Sequence, residues 1–224
     1  MTKNQRFTLI ELMVVISIIG ILMTILLPSL KKARDAGLRT VCINNTKQWA
    51  KGGIMYHDEN GGFWNLSDKP YISTGKSGSW ASHNVDWPPV NPYLGYTERG
   101  SDVPSAHCPS DTYYTGTRRD TTAYDLLGTS YCDNMAANTV SRRGGDGSKS
   151  LKDLNISQVV SPSKCLFFME WPIVSQTYRP TEEYPSWHYR QQFFNVAMVD
   201  GSARYLKILV GQVANDDFLF EYDR

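Results

Sequence analysis

The chain has 224 residues, of which 41% are hydrophobic and 12% aromatic, and 23 Lys and Arg residues nearly balance 22 Asp and Glu residues. This composition excludes a wholly disordered chain, and the length suits one globular domain with an appendage. A net charge of +1 lacks the basic excess typical of nucleic-acid binding, so we expect no nucleic-acid partner.

An apolar segment follows a short basic leader at the start of the chain. The leader comprises residues 1–6, and the 24 residues from Phe7 to Leu30 contain one charged side chain, Glu11. As an α-helix, the segment would reach roughly 36 Å at about 1.5 Å per residue, enough to cross a hydrocarbon core of about 30 Å. It is followed by Lys31, without the small-residue cleavage site of a secretory signal peptide. Residues 7–30 are therefore predicted to form a transmembrane helix.

Glu11 is an unusual residue for a plain membrane anchor. It lies one turn inside the apolar segment, where a carboxylate costs on the order of 2–3 kcal/mol. Its side chain either extends to the lipid headgroups from this shallow depth or is kept for a partner that neutralises it. Basic residues flank the segment on both sides, so charge alone leaves the membrane orientation open.

A basic leader ending in Arg6 precedes the sequence Phe-Thr-Leu-Ile-Glu-Leu at residues 7–12, and the apolar run continues to about Leu30. This arrangement resembles the class III signal of type IV pilins and type II secretion pseudopilins. In that family, a membrane prepilin peptidase cleaves just before the Phe and methylates the new amine. The resemblance implies cleavage between Arg6 and Phe7, although the family normally has Gly where this chain has Arg6.

The same resemblance implies a role for Glu11 in assembly. In a stack of parallel helices, the free amine of Phe7 on an incoming subunit would pair with Glu11 of its neighbour and set the axial register. The implied partners are other pilin or pseudopilin subunits, the prepilin peptidase and an inner-membrane assembly platform. The implied location is the bacterial inner membrane, with a single span, the N-terminus in the cytoplasm and the C-terminal domain in the periplasm or at the cell surface.

The helical pattern continues beyond the apolar segment. Pro28 lies within it and is expected to kink the helix, since its ring clashes with the preceding turn. Residues 31–59 are predicted to form an amphipathic continuation that packs one stripe on a core, and Gly61-Gly62 is expected to end it. The stripe consists of residues spaced three, four or seven apart: Leu38, Val41, Cys42, Asn45, Trp49 and Tyr56.

Residues 60–224 are predicted to form an exported globular domain with an antiparallel sheet and long loops. Residues 164–170 form a short apolar run that suits a buried strand. Two further strands, over 194–199 and 202–210, flank Asp200-Gly201, which supplies the positive φ angles of a tight hairpin turn. The fold class is therefore α+β: a long N-terminal α-helix, with a transmembrane half and an amphipathic half, packed on this sheet domain.

Scattered later segments include Cys108-Pro109-Ser110-Asp111, residues 130–134 and a late His followed by Asp200-Gly201. They resemble a large pilin-like family of unknown function, whose members end with a His, a nine-residue spacer and Asp-Gly. In this chain, eleven residues separate His188 from Asp200. The resemblance implies little about activity.

Four cysteines lie in the exported part of the chain, where disulfides persist, and three pairings are possible if all are used. Cys108–Cys132 is the candidate disulfide, because it would close a loop of the least regular region and add about 3 kcal/mol by restricting the unfolded chain. Cys42 on the helix and Cys165 on a strand are expected to be small buried hydrophobes. No C-x-x-C spacing occurs, so no zinc or redox motif is predicted.

Neither a metal site nor a catalytic site is predicted. The four histidines have no partner at the spacing of a metal site on a helix: His57, His83, His107 and His188. Pseudopilins related to the major subunit often hold calcium in a loop of the sheet domain, so calcium is the one cofactor that the resemblance suggests. The acidic candidates are scattered and are explained more simply by turns: Asp102, Asp111, Asp133 and Asp146. Since no nucleophile elbow, P-loop or paired-carboxylate motif occurs, we expect no enzymatic activity.

The tryptophans of the exported domain are open to two interpretations. They either stack on sugar rings or other subunits from exposed loops, or fill the core of a small sheet domain, which we favour. These residues are Trp64, Trp80, Trp87, Trp171 and Trp187.

The sequence thus favours a structural subunit, a pseudopilin or minor pilin, of a type II secretion or type IV pilus-like filament assembled by packing of N-terminal helices. The alternative is a singly anchored exported domain that binds polysaccharide and does not polymerise. The two differ in one requirement: a filament subunit needs N-terminal processing and Glu11, whereas a singly anchored domain needs neither.

Overall fold

The computed structural model forms two compact units, Met1–Gly37 and Leu38–Arg224. The residues that it describes are 8–62, 75–76, 88–98, 101–112, 121–134, 155–173, 187–188, 191–209, 211–212 and 214–219. The predicted leader and Phe7 lie outside these ranges.

The predicted long N-terminal helix is confirmed. Helix α1 spans Leu9–Glu59, 51 residues, and in the described part of the chain it is the one helix long and apolar enough to cross a membrane. Every side chain from Thr8 to Arg34 is exposed, including the large apolar ones. A continuous apolar surface of this size is stable only against lipid or another protein.

Hydroxyl side chains inside the apolar segment bond to their own helix. Ser17 Oγ donates to the Met13 carbonyl at 2.7 Å. Ser29 Oγ donates to the Leu26 carbonyl at 2.8 Å. Because these donors are satisfied within α1, they add little to the cost of placing the segment in hydrocarbon.

Helix α1 continues through Pro28. Proline has no backbone N–H, so the carbonyl of Thr24 lacks the usual helical partner four residues later. The kink expected at Pro28 stays a prediction.

Four antiparallel strands form one sheet in the order β1-β2-β3-β4. The strands are β1 (Tyr131–Asp133), β2 (Leu166–Glu170), β3 (Phe193–Met198) and β4 (Ala203–Lys207). A short helix, α2, spans Ala123–Leu127, and single-turn 3₁₀ helices cover Asn91–Leu94, Pro104–Ala106 and Ile156–Gln158. The long helix and this sheet together confirm the α+β class.

The predicted hairpin joins β3 to β4, but its turn differs from the expectation. The Met198 N–H donates to the Ser202 carbonyl at 2.8 Å, so residues 199–201 form a three-residue loop. Gly201 has a positive φ of 79°, whereas Asp200 does not, so the prediction of positive φ at both turn residues was wrong. Asp200 instead accepts a hydrogen bond from the Ser202 N–H at 2.8 Å, a contact typical of Asp in turns.

The second half of α1 packs within the globular unit. Of the predicted stripe, Cys42, Asn45, Trp49 and Tyr56 are buried, whereas Val41 is 47% exposed. The buried side chains that the periodicity did not identify are small or polar: Thr46, Ala50, Gly52, Gly53 and His57. They widen the stripe into a buried face, on which Gly53 meets β2 and Gly52 meets Val90 and Leu94.

Gly53 allows α1 to approach β2 closely, and a larger side chain there is expected to destabilise the fold. A Cβ atom on Gly53 would lie 2.7 Å from Phe167 Cζ and 2.8 Å from Phe168 Cε2, both in buried rings. Gly53→Ala should lower the free energy of unfolding by about 1–2 kcal/mol despite the better helix propensity of Ala. Denaturant unfolding followed by Trp fluorescence measures this.

Gly37→Ala is the control, because no heavy atom lies within 4 Å of its Cβ. Equal effects of the two substitutions would contradict the close-packing role.

His57 lies in the last turn of α1 and is 2% exposed. Its Nδ1 lies 2.9 Å from the Gly62 carbonyl, to which a neutral ring donates a hydrogen bond. Burial lowers the pKa of His57, and it outweighs the opposing effects of this hydrogen bond and of Asp58. The ring is therefore neutral in the folded protein near neutral pH.

The lowered pKa of His57 predicts a loss of stability on acidification. In the unfolded chain the ring takes up a proton near pH 6.5, whereas the folded chain does so only at lower pH. Its contribution to stability is thus complete above about pH 6.5 and is lost as pH falls through the folded pKa. The free energy of unfolding should therefore fall more steeply below this pH in the wild type than in His57→Gln, measured as paired denaturation series. Parallel pH profiles would exclude this role.

Candidate functional site

Thr8 and Glu11 form a reciprocal cap at the first turn of α1. Glu11 Oε2 accepts hydrogen bonds from the Thr8 backbone N–H at 2.8 Å and from Thr8 Oγ1 at 2.7 Å. The Glu11 N–H in turn donates to Thr8 Oγ1 at 3.3 Å. This arrangement is a capping box, which pairs two N–H groups that a helix N-terminus otherwise leaves without partners.

The capping box gives Glu11 a role within its own chain that the sequence interpretation missed. The signal was present, since T-x-x-E before an apolar run is typical of a helix start. Glu11 Oε1 accepts no hydrogen bond from any residue that the structure describes. One carboxylate oxygen, Oε2, thus caps α1.

The predicted processing residues, Arg6 and Phe7, lie outside the described residues. The cap begins at Thr8, on the C-terminal side of the predicted cleavage site. Cleavage before Phe7 would therefore keep the capping box and create an amine one residue ahead of it.

The disulfide prediction was wrong. Cys108 is bonded to Cys42, with a Cα–Cα distance of 5.0 Å, and not to Cys132. The reason is that Cys42 lies on the buried face of α1, against the segment that carries Cys108. The Asn45 side chain fixes this contact by donating to the His107 carbonyl at 3.1 Å. The bond therefore lies within the globular unit and links the second half of α1 to the segment that carries Cys108.

Cys132 and Cys165 are free and buried thiols. Burial raises the pKa of Cys132 well above its ordinary value and that of Cys165 to about 12. Since the thiolate is the reactive form, both thiols are inert at neutral pH. The prediction that Cys165 is a small buried hydrophobe agrees with this placement, whereas Cys42 does not follow that expectation.

A buried polar cluster surrounds the disulfide. We call it the Glu170 cluster; it comprises Cys42, Cys108, Glu170, His188 and Asn195. Glu170 Oε1 lies 2.6 Å from His188 Nε2 and accepts a hydrogen bond from Asn195 Nδ2 at 2.7 Å. Glu170 Oε2 accepts another from the Asn195 backbone N–H at 3.1 Å. Cys108 Sγ lies 4.0 Å from both Glu170 Oε1 and His188 Nε2.

Five separate segments position the Glu170 cluster. Cys42 comes from α1, Cys108 follows the 3₁₀ helix Pro104–Ala106, and Glu170 ends β2. His188 comes from the short described stretch 187–188, and Asn195 lies on β3. Sequence reasoning singled out His188 without a partner, and it missed the other members as a group. The available signal was a Glu at the end of an apolar strand, where a carboxylate needs a buried partner.

Of the acidic residues considered for calcium, Asp111 and Asp102 hold structural hydrogen bonds, and Asp133 is buried on β1. The Asp111 carboxylate accepts hydrogen bonds from the Ala123 and Tyr124 N–H groups at 3.1 and 3.0 Å, which caps α2. Burial raises the pKa of Asp111 against the effect of these hydrogen bonds. Asp102 accepts a short hydrogen bond from the Tyr124 hydroxyl, and Asp146 lies outside the described residues.

Two of the five tryptophans considered for glycan stacking fall in the described ranges. Trp171 is 5% exposed and Trp187 is 9% exposed, so neither presents a ring face to a sugar. The remaining three, Trp64, Trp80 and Trp87, lie outside those ranges.

Comparison with known proteins gives one match. Residues 7–27 match the model of the prokaryotic N-terminal methylation motif, which is typical of type IV pilins and pseudopilins. Neither a curated protein nor a solved structure matches the chain. The matched residues include Glu11 and most of the apolar segment, so the N-terminal part of the chain is pilin-like.

Proposed function

We propose that this protein is a structural subunit of a filament, a pseudopilin or minor pilin of a type II secretion or type IV pilus-like assembly. One observation carries the proposal. An exposed apolar helix begins within the methylation motif and holds Glu11, whose Oε1 accepts no hydrogen bond in the described part of the chain. Neither a globular fold nor a plain anchor needs that combination.

The physics of helix association in lipid supports a register role for Glu11. Lipid tails are as apolar as Leu, so helices in a membrane associate through packing and polar contacts. A carboxylate near the membrane interior is stabilised by a cation at the same depth. Cleavage before Phe7 supplies such a cation on each incoming subunit, and Glu11 Oε1 of the neighbour accepts it while Oε2 keeps the cap.

The location that fits this role is the bacterial inner membrane, with the leader in the cytoplasm and the globular unit in the periplasm or at the cell surface. The Cys42–Cys108 disulfide supports this orientation, because disulfides persist in oxidising compartments outside the cytoplasm. The prepilin peptidase and an inner-membrane assembly platform are the partners that processing and polymerisation require.

The proposed role is mechanical and not enzymatic. Within the globular unit, the second half of α1 is fixed by the Cys42–Cys108 disulfide and by the Trp49 indole, which donates to the Ser105 carbonyl at 2.9 Å. A pull on this part of α1 would be carried to the Cys108 segment by the disulfide as well as by the backbone.

In-membrane crosslinking tests the proposal against a monomeric anchor. Native-host membranes containing the tagged chain are treated with a short crosslinker and separated by denaturing electrophoresis. A filament subunit should give a ladder of oligomers, and the ladder should disappear in a host strain that lacks the prepilin peptidase. A single monomer band in both strains would overturn the proposal and favour the singly anchored domain.

A further inference from the structure

The Glu170 cluster brings together four side chains of types that bind divalent metal ions. Cys42, Cys108 and Glu170 are 0% exposed, and His188 is 7% exposed. Their two sulfurs, one carboxylate oxygen and one imidazole nitrogen all lie within 4.8 Å of one another. In the part of the chain that the structure describes, this is the one group of three or more such side chains.

Three polar atoms crowd together at the centre of the cluster. His188 Nε2, Glu170 Oε1 and Asn195 Nδ2 form a triangle with sides of 2.6, 2.7 and 2.8 Å. Two of them, Nε2 and Oε1, are atoms of types that bind divalent metal ions, and each lies 4.0 Å from Cys108 Sγ.

Asn195 provides an independent observation. Its side chain is 0% exposed, and its Oδ1 has no hydrogen-bond partner among the described residues. A buried amide oxygen without a partner costs free energy, and this one belongs to the side chain whose Nδ2 contacts Glu170 Oε1. The cluster therefore holds a polar group that its described contacts leave uncompensated.

We propose that the Glu170 cluster is a divalent-cation site of the zinc class, formed when the Cys42–Cys108 disulfide is reduced. The ligands are the two cysteine sulfurs, Glu170 and His188, a tetrahedral S₂NO set that suits Zn²⁺. Asn195 holds the Glu170 carboxylate through its backbone N–H, the orienting role that residues behind metal ligands often have.

Small movements convert one state into the other. Tetrahedral Zn²⁺, with Zn–S near 2.3 Å and Zn–N near 2.0 Å, places two sulfurs about 3.8 Å apart and a sulfur about 3.5 Å from a nitrogen. Cys108 Sγ already lies 4.0 Å from His188 Nε2 and from Glu170 Oε1. The two sulfurs must separate after their bond is broken, and Glu170 Oε1 and His188 Nε2 must move apart from 2.6 Å to about 3.3 Å.

The redox step requires an external dithiol. Two electrons and two protons pass from the dithiol to the Cys42–Cys108 bond, which yields two thiols while the dithiol becomes a disulfide. Binding of the cation then displaces the two thiol protons to solvent, and the thiolates become ligands. The disulfide and the metal site therefore exclude each other.

Both states would connect α1 to the sheet. In the oxidised state the connection is the S–S bond, and in the reduced state it is the cation held by Cys42 on α1 and Glu170 on β2. Loss of the disulfide would then leave the helix anchored wherever Zn²⁺ is present. This inference concerns the globular unit and does not depend on filament assembly.

Co²⁺ titration of the full-length protein in detergent tests the site. One sample keeps the disulfide, and the other is reduced with a phosphine until peptide mapping finds no Cys42–Cys108 link. The reduced protein should bind one Co²⁺ with thiolate-to-cobalt charge-transfer absorption, and Zn²⁺ should remove this absorption. The oxidised protein should give no such band. Absence of the band from the reduced protein would overturn the proposal.

Substitutions identify the ligands. Cys108→Ser should weaken Co²⁺ binding by at least tenfold. It should also lower the intensity of the thiolate-to-cobalt charge-transfer absorption, because one of the two sulfur ligands is lost. Cys165→Ser is the matched control, because Cys165 is also a buried thiol but lies outside the cluster. Equal loss in the two variants would contradict the assignment. If Cys108→Ser does not fold, His188→Gln in the reduced protein replaces it and should likewise weaken Co²⁺ binding relative to Cys165→Ser. The comparison of the oxidised and reduced wild-type protein needs no variant.

Discussion

Replacing Glu11 with Gln is expected to leave membrane insertion intact and to abolish incorporation into a filament. Gln accepts the hydrogen bonds from the Thr8 N–H and hydroxyl as Glu does, so the capping box and the start of α1 are retained. The substitution removes only the negative charge that we propose for pairing with a neighbour's Phe7 amine. Membrane fractionation measures insertion, and crosslinked ladders in native-host membranes measure assembly.

Two companion variants separate capping from charge. Glu11→Ala removes both and should also insert without assembling, because the apolar segment is otherwise unchanged. Thr8→Val removes the hydroxyl of the cap but keeps the charge of Glu11, so it should assemble with at most a modest loss. If Glu11→Gln assembles like the wild type while Thr8→Val does not, Glu11 acts as a helix cap and the pairing role is wrong.

The second large effect is expected at the Cys42–Cys108 disulfide. The bond links residues 66 positions apart, so its loss should lower the free energy of unfolding by about 4 kcal/mol in the chain-entropy model. Denaturant unfolding of the reduced and oxidised protein in the presence of a chelator measures this difference. The chelator is needed because a cation in the Glu170 cluster would restore part of the stability.

Peptide mapping without reduction decides the pairing. It should recover a linked peptide pair that contains Cys42 and Cys108, and unlinked peptides for Cys132 and Cys165. Recovery of a Cys108–Cys132 link would contradict the structure. Stability alone would not distinguish the two pairings, since a loop closed by Cys108–Cys132 is expected to add about 3 kcal/mol.

Local patterns in the sequence predicted the elements that depend on near neighbours. Hydropathy and helical periodicity identified α1, and the helix ends at Glu59, just before the glycines that were expected to end it. An apolar run identified β2, and Asp200-Gly201 identified the β3–β4 hairpin. The turn type was wrong because a three-residue loop uses one positive φ, at Gly201, whereas the two-residue turn that we assumed uses two.

The disulfide and the Glu170 cluster could not be predicted because they depend on long-range packing. Cys42 was assigned to the apolar stripe of α1, and that assignment was correct for its burial but said nothing of what covers it. His188 contacts Glu170 across 18 positions of sequence and approaches Cys108 across 80. Spacing rules for sites on one helix or one loop do not detect side chains that come together from separate segments.

The most direct test of the filament subunit is N-terminal mass spectrometry of the protein recovered from its native membranes. The account predicts a mature chain that begins at Phe7 and carries a methyl group on its amine. A chain that begins at Met1 with its leader intact would lack the cation that pairs with Glu11 and would contradict the account.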